Sequence, residues 1–284
     1  MNSKGYLSEI FSSFQGEGGT VRGSCFGKRQ IFIRFSGCNL ACDNLKASPC
    51  FWCDSKKAQK PEQLEYWYEV NPYSQEKSQN NNPIEIDKLI KLIKNLITND
   101  LHSISFTGGE PLLQIDFLIE LIKNMSKKQI SIPLYLETNG TINLTNRELE
   151  LLGKYFKYCC CDIKDRSSKA ILESSWTNLV ERELNFIHKS ISIGIVTFAK
   201  IVVTSKTRIE DIEFISKELS KIKYDDGQSV GLAIQPVYLE SKMLSDKYGI
   251  SNEHFNKIFH AASKYLDPEC LSLSIQAHKY LKIL

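Results

Sequence analysis

No stretch of the 284 residues approaches the roughly 18 consecutive apolar positions that a membrane span requires. The opening MNSKGYLSEIFSSFQGEG lacks the apolar core of a secretory signal. Neither sign of charge dominates: 36 Lys and Arg stand against 33 Asp and Glu, a formal +3 spread along the chain, too little for a nucleic-acid surface. There is no internal repeat. These absences point to a soluble, cytoplasmic globular protein without direct contact to nucleic acid or membrane. With 42% hydrophobic residues it can bury a sizeable core, and its length suits one or two domains, or one α/β barrel.

Cysteine, by contrast, is plentiful. Nine are present, and four of them, Cys38, Cys42, Cys50 and Cys53, fall within sixteen residues. An odd number in a chain of this size without an export signal argues against a disulfide framework. Clustered thiols in a reducing compartment point instead to metal ligation or redox chemistry. A structural zinc site would use all four in a closed tetrahedron, although CxxxC followed closely by CxxC is an unusual spacing for it. An iron–sulfur cluster is the other use, and three ligands would leave one iron open for catalysis. Cys25, Cys270 and the run Cys159-Cys160-Cys161 read as small buried hydrophobes. The run lies in an apparent strand, where neighbours face opposite sides and cannot share one metal.

Strand-like and helix-like segments alternate. Residues 30–35, 103–106, 133–136, 158–163, 198–203, 231–234 and 271–275 read as strands. Residues 84–96, 115–125, 208–222 and 253–265 carry apolar residues at helical spacing. Such alternation argues for parallel βαβ units, with the chemistry on the loops that follow the strands. Residues 56–83 break the pattern with Tyr66-Trp67-Tyr68 and then a polar run whose composition suggests no structure. We read them as a surface insertion in a single domain spanning 1–284.

The strand ending in Ser36-Gly37-Cys38, followed by Thr107-Gly108-Gly109-Glu110-Pro111 after the next strand, resembles the radical S-adenosylmethionine superfamily. Further blocks narrow the resemblance to the 7-carboxy-7-deazaguanine synthase family. They are Ser8-Glu9-Ile10-Phe11 with Gln15-Gly16-Glu17-Gly18, Trp52-Cys53-Asp54-Ser55, Glu137-Thr138-Asn139-Gly140-Thr141 and the terminal Gln276-Ala277-His278-Lys279. They run in family order from residue 8 to residue 279.

The resemblance implies a partial, parallel β/α barrel holding a 4Fe-4S cluster, S-adenosylmethionine and Mg²⁺. It implies a lyase that contracts 6-carboxy-5,6,7,8-tetrahydropterin to 7-carboxy-7-deazaguanine with loss of ammonia, in queuosine or archaeosine biosynthesis. A homodimer and an electron donor such as flavodoxin or ferredoxin go with it. Carried over residue by residue, the cluster ligands are Cys38, Cys50 and Cys53. Here eleven residues separate the first two, and Cys42 is the alternative for the middle place. Ser55 would ligate Mg²⁺. Phe14, Gln15, Gly16, Arg34, Thr107 and His278 would meet the substrate, Arg34 through the carboxylate that its planar fork matches. Gly109, Glu137, Thr138, Asp162, Ile163, Lys164 and Gln235 would meet S-adenosylmethionine, although many relatives carry Ser where Asp162 stands. No side chain is assigned as acid or base. Two alternatives stay open: an activase that installs a radical on a partner protein, and a zinc-stabilised binding module.

Overall fold

The computed structural model describes residues 4–42, 50, 52–59, 64–70 and 76–281, with the side chains of residues 41 and 42 excepted. In chain order the strands are β1 (Lys4–Gly5), β2 (Leu7–Phe14), β3 (Arg29–Phe35), β4 (Tyr66–Val70), β5 (Lys77–Asn81), β6 (Ile84–Glu85), β7 (Leu101–Gly108), β8 (Leu134–Thr138), β9 (Phe156–Ile163), β10 (Val196–Val203), β11 (Leu232–Pro236) and β12 (Leu271–Leu273). The helices are α1 (Asn39–Cys42), α2 (Ile86–Leu96), α3 (Ile115–Lys127), α4 (Asn146–Tyr155), α5 (Trp176–Ser192), α6 (Ile209–Lys221), α7 (Lys242–Tyr248), α8 (Asn252–Ser263) and α9 (Ala277–Leu281).

Ten strands form one sheet in the order β12-β11-β10-β9-β8-β7-β3-β2-β4-β5. From β3 to β12 every neighbouring pair is parallel. Helices α2 to α6 and α8 carry the crossovers, and their apolar stripes pack on the outer face. Leu89, Ile90 and Ile93 of α2 and Leu118, Leu121 and Ile122 of α3 are buried, each contributing about 1.5–3 kcal/mol. The sheet ends at β12 and β5 without closing, so the architecture is a partial parallel barrel, as expected. Among the described residues no helix is long and apolar enough to cross a membrane.

The open side is laced by the loop after β2. Gly18 N donates to Ser274 Oγ at 2.9 Å, Thr20 N to Ser272 Oγ at 2.8 Å, and Ala277 N to the Gly16 carbonyl at 3.0 Å. The N-terminal Gln-Gly-Glu-Gly motif is thereby stitched to the segment carrying Gln276 and His278.

The polar run given no structure by composition forms β5, paired antiparallel with β4. Trp67 of β4 is fully buried, while β5 is held by its ladder and stays largely exposed. Residues 60–63 and 71–75 of that segment lie outside the described residues. The last strand stops at Leu273, and α8 runs from Asn252 to Ser263, each within two residues of expectation. Cys159 and Cys161 join the outer core, whereas Cys160 faces inward with Val21, Cys25, Tyr135 and Phe198, as strand alternation requires.

Candidate active site

One pocket opens at the C-terminal ends of the parallel strands, and Cys38, Cys50 and Cys53 line it together. β3 delivers Cys38 through Ser36-Gly37, with the Gly37 amide held on the Ala58 carbonyl at 2.7 Å. None of the three is in a disulfide. Burial pushes the Cys38 and Cys53 thiols up to about 12 and raises Cys50 as well. A metal that binds such a thiol compensates the charge of the thiolate and draws off its proton. Three half-buried thiols lining one pocket therefore fit an iron–sulfur cluster. The Cys42 side chain lies outside the described residues.

Beside Cys38, β7 ends at Gly108 and is followed by Gly109. A Cβ on Gly109 would stand 2.0 Å from the Gly37 carbonyl oxygen and 2.5 Å from that of Ala58, so only glycine lets these segments meet. Glu110 is fully buried and does not line the pocket. Its carboxylate accepts from Leu112 N (3.0 Å), Thr138 Oγ1 (2.8 Å) and Asn139 N (2.8 Å), tying the loop after β7 to the loop after β8. Burial raises its carboxyl to about 6.

Inside the barrel mouth Glu137 of β8 accepts from Gln15 Nε2 at 2.8 Å, Ser105 Oγ at 3.2 Å and Thr107 Oγ1 at 2.9 Å. Gln15 also donates to Gln30, and its own oxygen receives Glu17 N. Burial raises the Glu137 carboxyl, with Lys200 the main opposing influence.

A chain of charges follows the rim. Lys200 of β10 pairs with Glu17. Gln276 donates to Glu17 at 2.8 Å and to Asp54 at 3.4 Å. Ser55 donates to Asp54 at 3.0 Å and accepts from Arg34 Nη1. Arg34 Nε in turn holds Glu9 at 2.8 Å. His278 packs on Gly16, where a Cβ would lie 2.6 Å from its Nδ1, and burial lowers its pKa. Glu17, Asp54 and His278 each bring one ligand atom within 4.8 Å of the others.

On β9, Asp162 pairs with Lys164 at 2.5 Å and lies directly across the ladder from Lys200. Burial opposes the charge of both lysines, yet Asp162 and its neighbours raise their pKa values.

The pocket thus gathers Phe14, Gln15, Gly16, Arg34, Thr107 and His278 with Gly109, Glu137, Thr138, Asp162, Lys164 and Gln235, and Ser55 with the three cysteines. Ile163 is the exception: its side chain points into the outer core, leaving only its backbone near the mouth. Sequence reasoning missed Lys200. Its signal was the same as that of Arg34, a cation inside an apolar strand, here Phe-Ala-Lys-Ile-Val-Val.

Comparison with known proteins bears on the family and the fold. Residues 15–176 match the family described as a 4Fe-4S single cluster domain. The structure of QueE from Escherichia coli superposes with a TM-score of 0.55 at 20% identity, covering 97% of this chain and 95% of that one, and so shares the fold. Partial barrel, thiol wall and single-cluster match define the class as a radical S-adenosylmethionine-type iron–sulfur enzyme. The 7-carboxy-7-deazaguanine synthase of Thermococcus kodakarensis is 35% identical over 279 residues, 98% of each chain. That of Methanocaldococcus jannaschii is 33% identical over 284 residues, 98% of this chain and 100% of its own. The chain belongs to the 7-carboxy-7-deazaguanine synthase family.

Proposed function

We propose that the protein contracts 6-carboxy-5,6,7,8-tetrahydropterin to 7-carboxy-7-deazaguanine with release of ammonia, in the route to queuosine or archaeosine. The observation that carries this reading is that Cys38, Cys50 and Cys53 line the same pocket as the polar set Gln15, Thr107, Glu137 and Arg34. Cys38, Cys50 and Cys53 would hold a four-iron cluster, which with S-adenosylmethionine and one electron from an external donor would supply radical hydrogen-abstraction chemistry.

The chain's own residues bind, orient and shield. Arg34, fixed by Glu9, offers a cation to the substrate carboxylate. Thr107 and Gln15 hold the Glu137 carboxylate toward the mouth, where it suits the donor edge of a pterin as well as a cofactor group. A buried polar edge of this kind rejects analogues that leave it unpaired. Phe14, Gly16 and His278 complete the substrate side. Gly109, Thr138, Asp162, Lys164 and Gln235, with the backbone of Ile163, form the S-adenosylmethionine side. Ser55 would ligate Mg²⁺, with the Asp54 and Glu17 oxygens near it suiting a hard cation.

A one-electron donor such as flavodoxin or ferredoxin, a homodimeric state and a cytoplasmic location complete the proposal, together with one domain over 1–284 that carries residues 56–83 as an insertion. The test is anaerobic reconstitution with iron and sulfide, followed by reductant, Mg²⁺, S-adenosylmethionine and the carboxytetrahydropterin. Formation of 7-carboxy-7-deazaguanine, absent without S-adenosylmethionine, supports the reading. Release of 5′-deoxyadenosine alone refutes the substrate assignment, and zinc in place of iron refutes the enzyme reading.

A further inference from the structure

Asn139, in the loop after β8, is 5% exposed and holds two sets of partners. Its Oδ1 accepts from Thr141 N at 3.0 Å and Thr141 Oγ1 at 2.6 Å. Its Nδ2 donates to Asn39 Oδ1 at 2.9 Å and reaches Cys38 Sγ at 4.0 Å. The orientation of this amide is fixed by chemistry. A backbone N–H can only donate, so the Thr141 amide must face the oxygen, and the NH₂ must face Asn39 and Cys38. Asn39 Nδ2 donates to Thr141 Oγ1 at 2.7 Å, closing a ring of three side chains beside the first cysteine. Glu110 anchors the ring from behind by accepting Asn139 N.

We propose that Asn139 tunes the reduction potential of the cluster through an N–H···S bond to Cys38. The inference rests on the reading of Cys38 as a cluster ligand. A donor aimed at a ligating sulfur draws electron density from the iron–sulfur unit and favours the state carrying one more electron. The reduced cluster is thereby stabilised relative to the oxidised one. Asn139 is a positioning residue in this account; it touches a ligand rather than substrate. The same contact explains why an asparagine is buried here, since its four polar valences are all used.

The test is an anaerobic redox titration of reconstituted protein without S-adenosylmethionine, followed by electron paramagnetic resonance of the reduced cluster. Wild type, Asn139→Asp, Asn139→Ala and Thr141→Val are compared at equal iron and sulfide content. Asn139→Asp keeps the acceptor for Thr141 and replaces the donor with an oxygen. At the potential where wild type is half reduced, its ratio of reduced to oxidised cluster falls at least tenfold. For one electron this is a downward shift of about 59 mV. Asn139→Ala shifts the same way, and Thr141→Val, which keeps the donor, stays with wild type. Midpoints in both Asn139 variants equal to wild type overturn the proposal. So does failure of Asn139→Asp to hold a cluster while Thr141→Val loads normally, which would make the role purely structural. Wild-type protein that binds no iron would instead refute the reading of Cys38 on which the inference rests.

Discussion

Replacing Lys200 with methionine removes the buried cation that the rim acids share. Lys200 is 12% exposed and its partner Glu17 16% exposed, and Asp162 lies directly across the ladder. Methionine fills nearly the same volume, so the loss is one of charge rather than packing. Removing one partner of a buried pair costs about 3–5 kcal/mol, because the other charge is left uncompensated. With an unfolding entropy of about 2.1 cal/mol/K per residue, that loss lowers the melting temperature by roughly 5–8 °C for a chain of this length. The penalty is pH-dependent. Without Lys200 the carboxyls of Asp162 and Glu137 bind protons more readily, so less stability is lost at pH 5 than at pH 8. Urea unfolding of the metal-free protein at both pH values reads the effect. The double variant Glu17→Gln/Lys200→Met is less destabilised than the sum of the two single variants, with a coupling of about 1 kcal/mol or more. A loss under about 1 kcal/mol that is equal at both pH values refutes the reasoning. It would mean that water rather than protein compensates these charges.

Glu110, raised by burial to about 6 from 4.5, favours the folded state when protonated, so its contribution is lost as pH rises from about 4.5 through about 6. The stability difference between wild type and Glu110→Gln therefore falls by about 2 kcal/mol between pH 4 and pH 7, as measured by urea unfolding. Gly109→Ala pushes a methyl into the Gly37 and Ala58 carbonyls; calorimetry of the iron-loaded protein should show S-adenosylmethionine binding weakened at least tenfold. Alanine at Cys38, Cys50 or Cys53 leaves less than a full complement of iron and sulfide, whereas Cys42→Ala loads normally; the reverse outcome at positions 42 and 50 would reassign the middle ligand. Arg34→Lys keeps charge but loses the fork held by Glu9 and Ser55. KM for the pterin acid should rise at least tenfold with little change in S-adenosylmethionine affinity, and an unchanged KM would remove Arg34 from the substrate site.

Local motifs were legible from sequence because their chemistry is local. The cysteine spacing, Gly108-Gly109-Glu110 after a strand, and the alternating strands and helices each declare themselves within a dozen residues. What was not legible is set by contacts between distant segments. Gly18 and Ser274 are 256 positions apart, and nothing in either stretch announces that they close the barrel's open side. β2 was missed because both its faces are buried, which erases the alternation that marks a strand. β5 was missed because its polar residues become a strand only by pairing with β4. α5 carries the buried Glu183 within its apolar stripe, which blurs the helical pattern. Gln15 was expected to meet substrate, and it does line the pocket. Its amide, however, is engaged by Glu137, Gln30 and Glu17, partners that only the fold brings together.

The central claim is that the thiol wall and the polar wall of one pocket act on one substrate. It is tested most directly by label transfer. The reconstituted protein is given unlabelled S-adenosylmethionine and the carboxytetrahydropterin deuterated on its saturated ring carbons. Mass spectrometry is then used to follow the deoxyadenosyl group of released 5′-deoxyadenosine and of residual S-adenosylmethionine. Deuterium in that group, alongside 7-carboxy-7-deazaguanine, is the predicted result. Product formed at full rate with no deuterium in either adenosyl species would contradict the account, since the ring would then be contracted without hydrogen transfer between the two walls.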